Sequence, residues 1–188
     1  MGAGDVVLFT DWTLLRLYPP LRACWAKIGT PAAVPITGRN AKGVLFGAIN
    51  LRTACRTLYR ADKASAEAVC GFLTHLRRAY RRAGTIYLLA DRASGHTAKR
   101  TQQMAARLDI VFVWLPKQWP ELNAMDQLWR HLKQHVAANR QAGSIDALLD
   151  RAADWVKGLT RTQARVKAGM RSARFWLRNL FHILWKPT

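Results

Sequence analysis

Two short apolar runs rich in β-formers each end in an aspartate, and this repetition constrains the fold more than any other feature of the chain. Val6-Val-Leu-Phe-Thr10 leads into Asp11, and Ile86-Tyr-Leu-Leu-Ala90 leads into Asp91. Runs of this length and composition read as buried strands. A third run, Ile110 to Trp114, has the same character. Val44 to Leu51 and Ala54 to Tyr59 read as two further strands around a turn at Arg52-Thr53. Residues 14–18 read as a separate extended piece before Pro19-Pro20. Residues 19–43, which hold Pro31 and Pro35 as well, predict an irregular excursion or small hairpin.

Helical spacing fills the rest. Ala68, Val69, Phe72, Leu73, Leu76 and Tyr80 predict a helix over 64–82, and a second covers 97–108. Met125, Leu128, Trp129, Leu132 and Val136 predict one over about 124–139. Ser144 caps another at 145–159. Antiparallel strands followed by alternating α and β units give a mixed sheet with helices on its faces. In such sheets ligands gather at the carboxyl ends of strands, where Asp11 and Asp91 both sit.

Charge narrows the partners. Among 188 residues, 30 Lys and Arg stand against 11 Asp and Glu, a formal net charge of +19. That footprint points to a polyanion, nucleic acid before an anionic membrane surface, with a merely solvated basic surface as the plain alternative. No apolar run reaches the roughly 18–20 residues of a membrane span, and no signal peptide is visible. Three unpatterned cysteines, Cys24, Cys55 and Cys70, fit a reduced, cytoplasmic compartment.

Acids are so scarce that each invites a reason. Two strand-end carboxylates close together repel unless a cation or proton lies between them, and their hard oxygens suit Mg²⁺ or Mn²⁺. Either one alone could equally be an aspartate closing a turn. Asp126, at the start of a helix, is the third candidate. Asn123-Ala-Met-Asp126 also reads as a capping box, and Glu121 is a reserve ligand. Asp146, Asp150 and Asp154 recur every four residues, the pattern of a solvated helix face. His131 and His135 lack the motif of a zinc site. His96 could touch a phosphate or scaffold its loop. No Walker loop, dinucleotide fingerprint or nucleophile elbow is present.

Leu-Phe-Thr-Asp11, then Leu-Leu-Ala-Asp91 with His96, then Leu115-Pro-Lys-Gln-Trp-Pro120-Glu-Leu-Asn123-Ala-Met-Asp126-Gln-Leu-Trp129-Arg-His-Leu-Lys133 resembles the catalytic domain of DDE transposases. The mariner-related bacterial insertion-sequence enzymes are the most similar branch. The 34 residues between Asp91 and Asp126 match that group's spacing. The chain departs from the family pattern at Trp12, Arg92, Ala124 and Asp126, where Glu, Asn, Pro and Glu are common, yet no carboxylate is lost.

The resemblance implies an α/β, RNase H-like, mixed five-stranded sheet flanked by helices. Residues 1–140 would form the catalytic core, and 141–188 a helical, basic C-terminal extension of the same domain. It implies a metal-dependent endonuclease and strand transferase, with two Mg²⁺ (or Mn²⁺) ions held by Asp11, Asp91 and Asp126. Lys133, Arg92, His96 and Arg130 would contact DNA, both transposon ends and target. A catalytically inactive or truncated nucleic-acid-binding remnant is the alternative. Enzymes of this family carry helix-turn-helix units before the catalytic domain. With Met1 ten residues before Asp11, such a unit is expected from a separate subunit or N-terminal part, with a possible homodimer. The expected location is the bacterial cytoplasm, at the nucleoid. The tail from Thr160 to Thr188 suits DNA or a partner surface.

Overall fold

The computed structural model describes residue 2 and residues 4–29, 33–117 and 119–177. Five strands form one sheet: β1 (Val6–Arg16), β2 (Lys42–Asn50), β3 (Arg56–Ala61), β4 (Ile86–Ala90) and β5 (Ile110–Trp114). Their order is β3-β2-β1-β4-β5. β1 runs antiparallel to β2 and parallel to β4, and β4 runs parallel to β5. The mixed sheet expected from the sequence is therefore present.

Among the described residues six α-helices accompany it: α1 (Ala66–Ala79), α2 (Ser94–Thr97), α3 (Lys99–Arg107), α4 (Ala124–Leu132), α5 (Ile145–Gly158) and α6 (Arg161–Lys167). On one face, Leu8, Phe46, Ala48 and Leu88 pack with Phe72, Leu73 and Leu76 of α1. On the other, Phe9, Leu45, Ile49 and Leu89 pack with Met125, Leu128 and Trp129 of α4 and with Leu148, Ala152 and Val156 of α5. Alternation along each strand divides its side chains between these two layers. Ala142, Ala164, Ala168 and Leu177 belong to this second cluster as well. Residues 178–188 lie outside the described residues.

Four local expectations are corrected. The pieces at 6–10 and 14–18 are one strand, because Asp11, Trp12 and Thr13 keep pairing with Gly47, Phe46 and Leu45. The helix expected over 97–108 is α3, starting at Lys99, and the extended backbone of Ala98 divides it from the separate short helix α2. The helix expected to reach residue 139 ends as α4 at Leu132 and passes into a single π-helical turn, Lys133–Ala137. Asn123 does cap α4, its side chain accepting from Met125 N at 3.0 Å. The reciprocal half of the box does not form, because Asp126 turns to Arg130 instead.

Candidate active site

Strand register brings the first two acids together. Phe9 pairs with Leu89 across β1 and β4, and each aspartate stands two residues further on. Two residues is one full repeat of a strand, so Asp11 and Asp91 emerge on the same face as Phe9 and Leu89. That is the face α4 covers, and Asp126 lies in its first turn. All three line one open cleft of about 490 Å³, together with Arg92, Lys117 and Trp119.

The fixation of α4 is visible atom by atom. Asn123, only 5% exposed, donates from Nδ2 to the carbonyl of Thr10 at 2.9 Å while its Oδ1 caps the helix. One amide thus ties the residue before Asp11 to the turn carrying Asp126. Opposite Asp11 in the sheet stands Gly47. A Cβ there would lie 2.5 Å from Met125 Cε and 2.6 Å from Trp129 Cζ2. The absent side chain is what lets α4 rest on β2. Thr10 Oγ1 donates to the Gly47 carbonyl at 2.9 Å, closing the same corner.

The carboxylates differ electrostatically. Burial, with repulsion from Asp91 and Asp126, pushes Asp11 up to about 7, against an opposing influence from the Trp12 backbone and His96. Asp91 is held below the usual carboxylate range, first by the hydrogen bond from His96. His96 Nδ1 donates to Asp91 Oδ1 at 2.9 Å and lies 3.2 Å from the Asp91 carbonyl. Both partners are acceptors, so Nδ1 carries the hydrogen. Asp126 Oδ2 receives Arg130 Nε at 3.1 Å and Nη2 at 3.0 Å.

Other expected site residues are placed unevenly. His96 is 2% exposed and behind Asp91, which corrects its expected contact with DNA to the scaffolding role. Arg92 is exposed in the cleft with its guanidinium 5.6 Å from the Trp114 ring centroid. Arg130 is exposed but paired with Asp126. Lys133 is not brought to the cleft; it borders a separate hollow with Arg16, Tyr18 and Pro19. Glu121, the reserve ligand, lines another cavity, beside Arg174 and Trp176. Lys117 and Trp119, both within the Leu115–Lys133 stretch, line the cleft too, and no pattern of spacing marks them in the sequence. Asp146, Asp150 and Asp154 are exposed as expected, and Asp150 pairs with Arg60.

Among the described residues, no three His, Cys, Asp or Glu side chains stand close enough to hold a metal ion as placed. The donor chemistry nevertheless fits a divalent cation. Three carboxylates line one cleft, and Asp11 is pushed toward its neutral form, first by burial and then by repulsion from Asp91 and Asp126. A hard cation among them would remove that repulsion.

Residues 6–149 match the family described as DDE superfamily endonuclease. The chain belongs to that family. Over 149 residues it is 28% identical to the insertion element IS630 uncharacterized 39 kDa protein of Shigella sonnei, covering 79% of this chain and 43% of that protein. Its fold is similar to the mariner Mos1 paired end complex with Mg (TM-score 0.69, 16% identity, 92% of this chain and 54% of that one). It is also similar to the Mos1 transposase catalytic domain with Raltegravir and Mg (TM-score 0.64, 14% identity, 90% and 79%). The DDE domain thus has the RNase H-like fold that the motif resemblance implied. It spans less than half the length of the curated relative. Among the described residues no helix is long and apolar enough to cross a membrane.

Proposed function

We propose that this DDE domain cuts and joins DNA phosphodiester bonds by in-line displacement, as the catalytic part of an insertion-sequence transposase. The observation that carries the reading is the convergence of Asp11, Asp91 and Asp126 on one cleft of a strongly basic protein. These three carboxylates would hold two Mg²⁺ or Mn²⁺ ions. When bound, such ions activate an attacking hydroxyl and stabilise the leaving oxygen.

The chain's own residues do the rest. Asp11 is held by the sheet and Asp91 by His96, which would limit how far each carboxylate moves as a cation binds. Arg130 holds Asp126 beside the cleft and would exchange that partner as a cation binds. Arg92 and Lys117 on the rim would take the DNA phosphates, and the basic surface would add sequence-independent affinity. Transposon ends and target DNA are the proposed substrates. A second copy and a helix-turn-helix part or subunit are the proposed partners, acting at the bacterial nucleoid in the cytoplasm.

A non-cutting nucleic-acid-binding remnant is the second reading. It is favoured by Asp91 and Asp126 each leaning on a basic side chain rather than closing into a tight triad. Supercoiled plasmid separates the two. Nicking in Mn²⁺ that disappears with chelator and in Asp91→Ala supports the enzyme. DNA retention without nicking on plasmid and on insertion-sequence ends supports the remnant.

A further inference from the structure

Trp119 stands apart from the other large apolar side chains around the cleft. It is 56% exposed, yet its backbone is firmly mounted. Its carbonyl accepts from Leu122 N at 3.1 Å, and the Pro120 carbonyl accepts from Asn123 N at 3.0 Å. Pro120 opens the 3₁₀ turn Pro120–Leu122 with its fixed φ, and Asn123 follows as the cap of α4. The indole is therefore carried on the same rigid turn that sets Asp126.

An indole left in water forgoes the stabilisation of burial. Phosphates need only the cations already present, Arg92 and Lys117. The rim thus combines cations with a flat apolar surface and the three carboxylates in one cleft. A ligand that complements all of these has an anionic group beside a planar ring. A nucleotide with its base unpaired has both. A base still stacked in a duplex offers only its edge.

We infer that Trp119 is a stacking platform for an unpaired nucleobase next to the phosphate held at the carboxylates. The inference rests on the DNA-cleaving reading of the cleft for its choice of ligand. It makes local opening of the duplex part of substrate recognition. Trp119 would favour sites whose flanking base leaves the stack easily, such as mismatches, ends and flexible pyrimidine–purine steps.

The test uses single-stranded oligonucleotides carrying 5-iodouracil, the matching duplex, and full-length protein. Wild type and Asp91→Ala should both cross-link at Trp119, as located by peptide mass spectrometry. Trp119→Ala should bind the single strand about tenfold more weakly, with a much smaller loss on fully paired duplex, and Trp119→Phe should recover most of the difference. An unchanged melting temperature for Trp119→Ala establishes that the loss is local. Cross-links confined to other residues, or equal single-strand affinity in Trp119→Ala, overturn the inference. A change in oligomeric state without a change in DNA binding also overturns it, by assigning the indole to a protein partner. Trp119 cross-linking in a protein that never nicks plasmid would sink the catalytic reading and leave the platform standing.

Discussion

The strand-borne and helix-borne halves of the site hold their acids in opposite ways. Asp11 sits within a strand that pairs on past it to Arg16, so its backbone has no freedom to relieve repulsion. Burial first, and that repulsion second, keep its carboxyl protonated up to about 7. Asp126 lies in the first turn of α4, where the long Arg130 side chain reaches it from one turn away. The rigid half carries the electrostatic cost, while the adjustable half has a substitute partner. A cation bound as proposed would therefore relieve Asp11 more than Asp126.

The sharpest way to break this contrast is a pair of substitutions. Asp11→Asn and Asp126→Asn should each lower plasmid nicking by about a thousandfold or more, since each removes a ligand. Only Asp11→Asn should raise the melting temperature in chelator at pH 8, because there the ionised form is opposed by burial, whereas Asp126→Asn gives up the Arg130 pair. Equal thermal shifts for the two would end the distinction. Next in size is Gly47→Ala. The new methyl meets a Trp129 ring atom that cannot yield as the Met125 terminus can, so the urea midpoint should fall by the equivalent of about 1–3 kcal/mol. Nicking should fall further than the fraction unfolded explains, because α4 carries Asp126.

Cation and proton should compete at Asp11. A carboxyl at about 7 in the folded chain, against 3.8 ordinarily, makes folding less favourable as pH climbs from about 4 to 7. Asp91 has the opposite sign: its depressed value adds stability above the ordinary carboxylate range and loses it in acid. Mg²⁺ should accordingly raise the melting temperature more at pH 8 than at pH 5.5, and scanning fluorimetry at the two pH values checks it. A flat response would mean that Asp11 does not face the ion. The smallest effect belongs to Arg130→Ala. An exposed i, i+4 pair contributes about 0.5 kcal/mol or less, so the melting temperature should barely move, while half-saturation by Mn²⁺ should shift to lower concentration.

How much of this was legible depended on whether a residue acts along the chain or across it. The strand runs before Asp11 and Asp91 were readable because burial on both faces leaves an uninterrupted apolar stretch. β4 and β5 fall at the expected residues, Ile86–Ala90 and Ile110–Trp114. The extent of β1 was not readable, since Asp11 and Trp12 break the apolar pattern although pairing with β2 continues through them. Asn123 was recognisable as a cap, a local property. Its second bond to Thr10, 113 residues away, leaves no periodic trace. Gly47 looked like any strand glycine, because the reason for it lies in the Met125 and Trp129 side chains above it. His96 was ambiguous in sequence because imidazole serves equally as contact and as support, and only its burial decides.

The register that sets Asp11 and Asp91 on one face of the sheet has a consequence for how such a gene can change over generations. Deleting or inserting one codon within 6–10 or 86–90 would rotate a carboxylate to the α1 side of the sheet while leaving the apolar composition of the strand almost untouched. Point replacements among Val, Ile, Leu and Phe in those runs would be nearly silent by comparison. The lineage is therefore free to drift in letters along these strands but not in length, and a decaying copy would reveal itself first by a frame-preserving indel there rather than by loss of an aspartate.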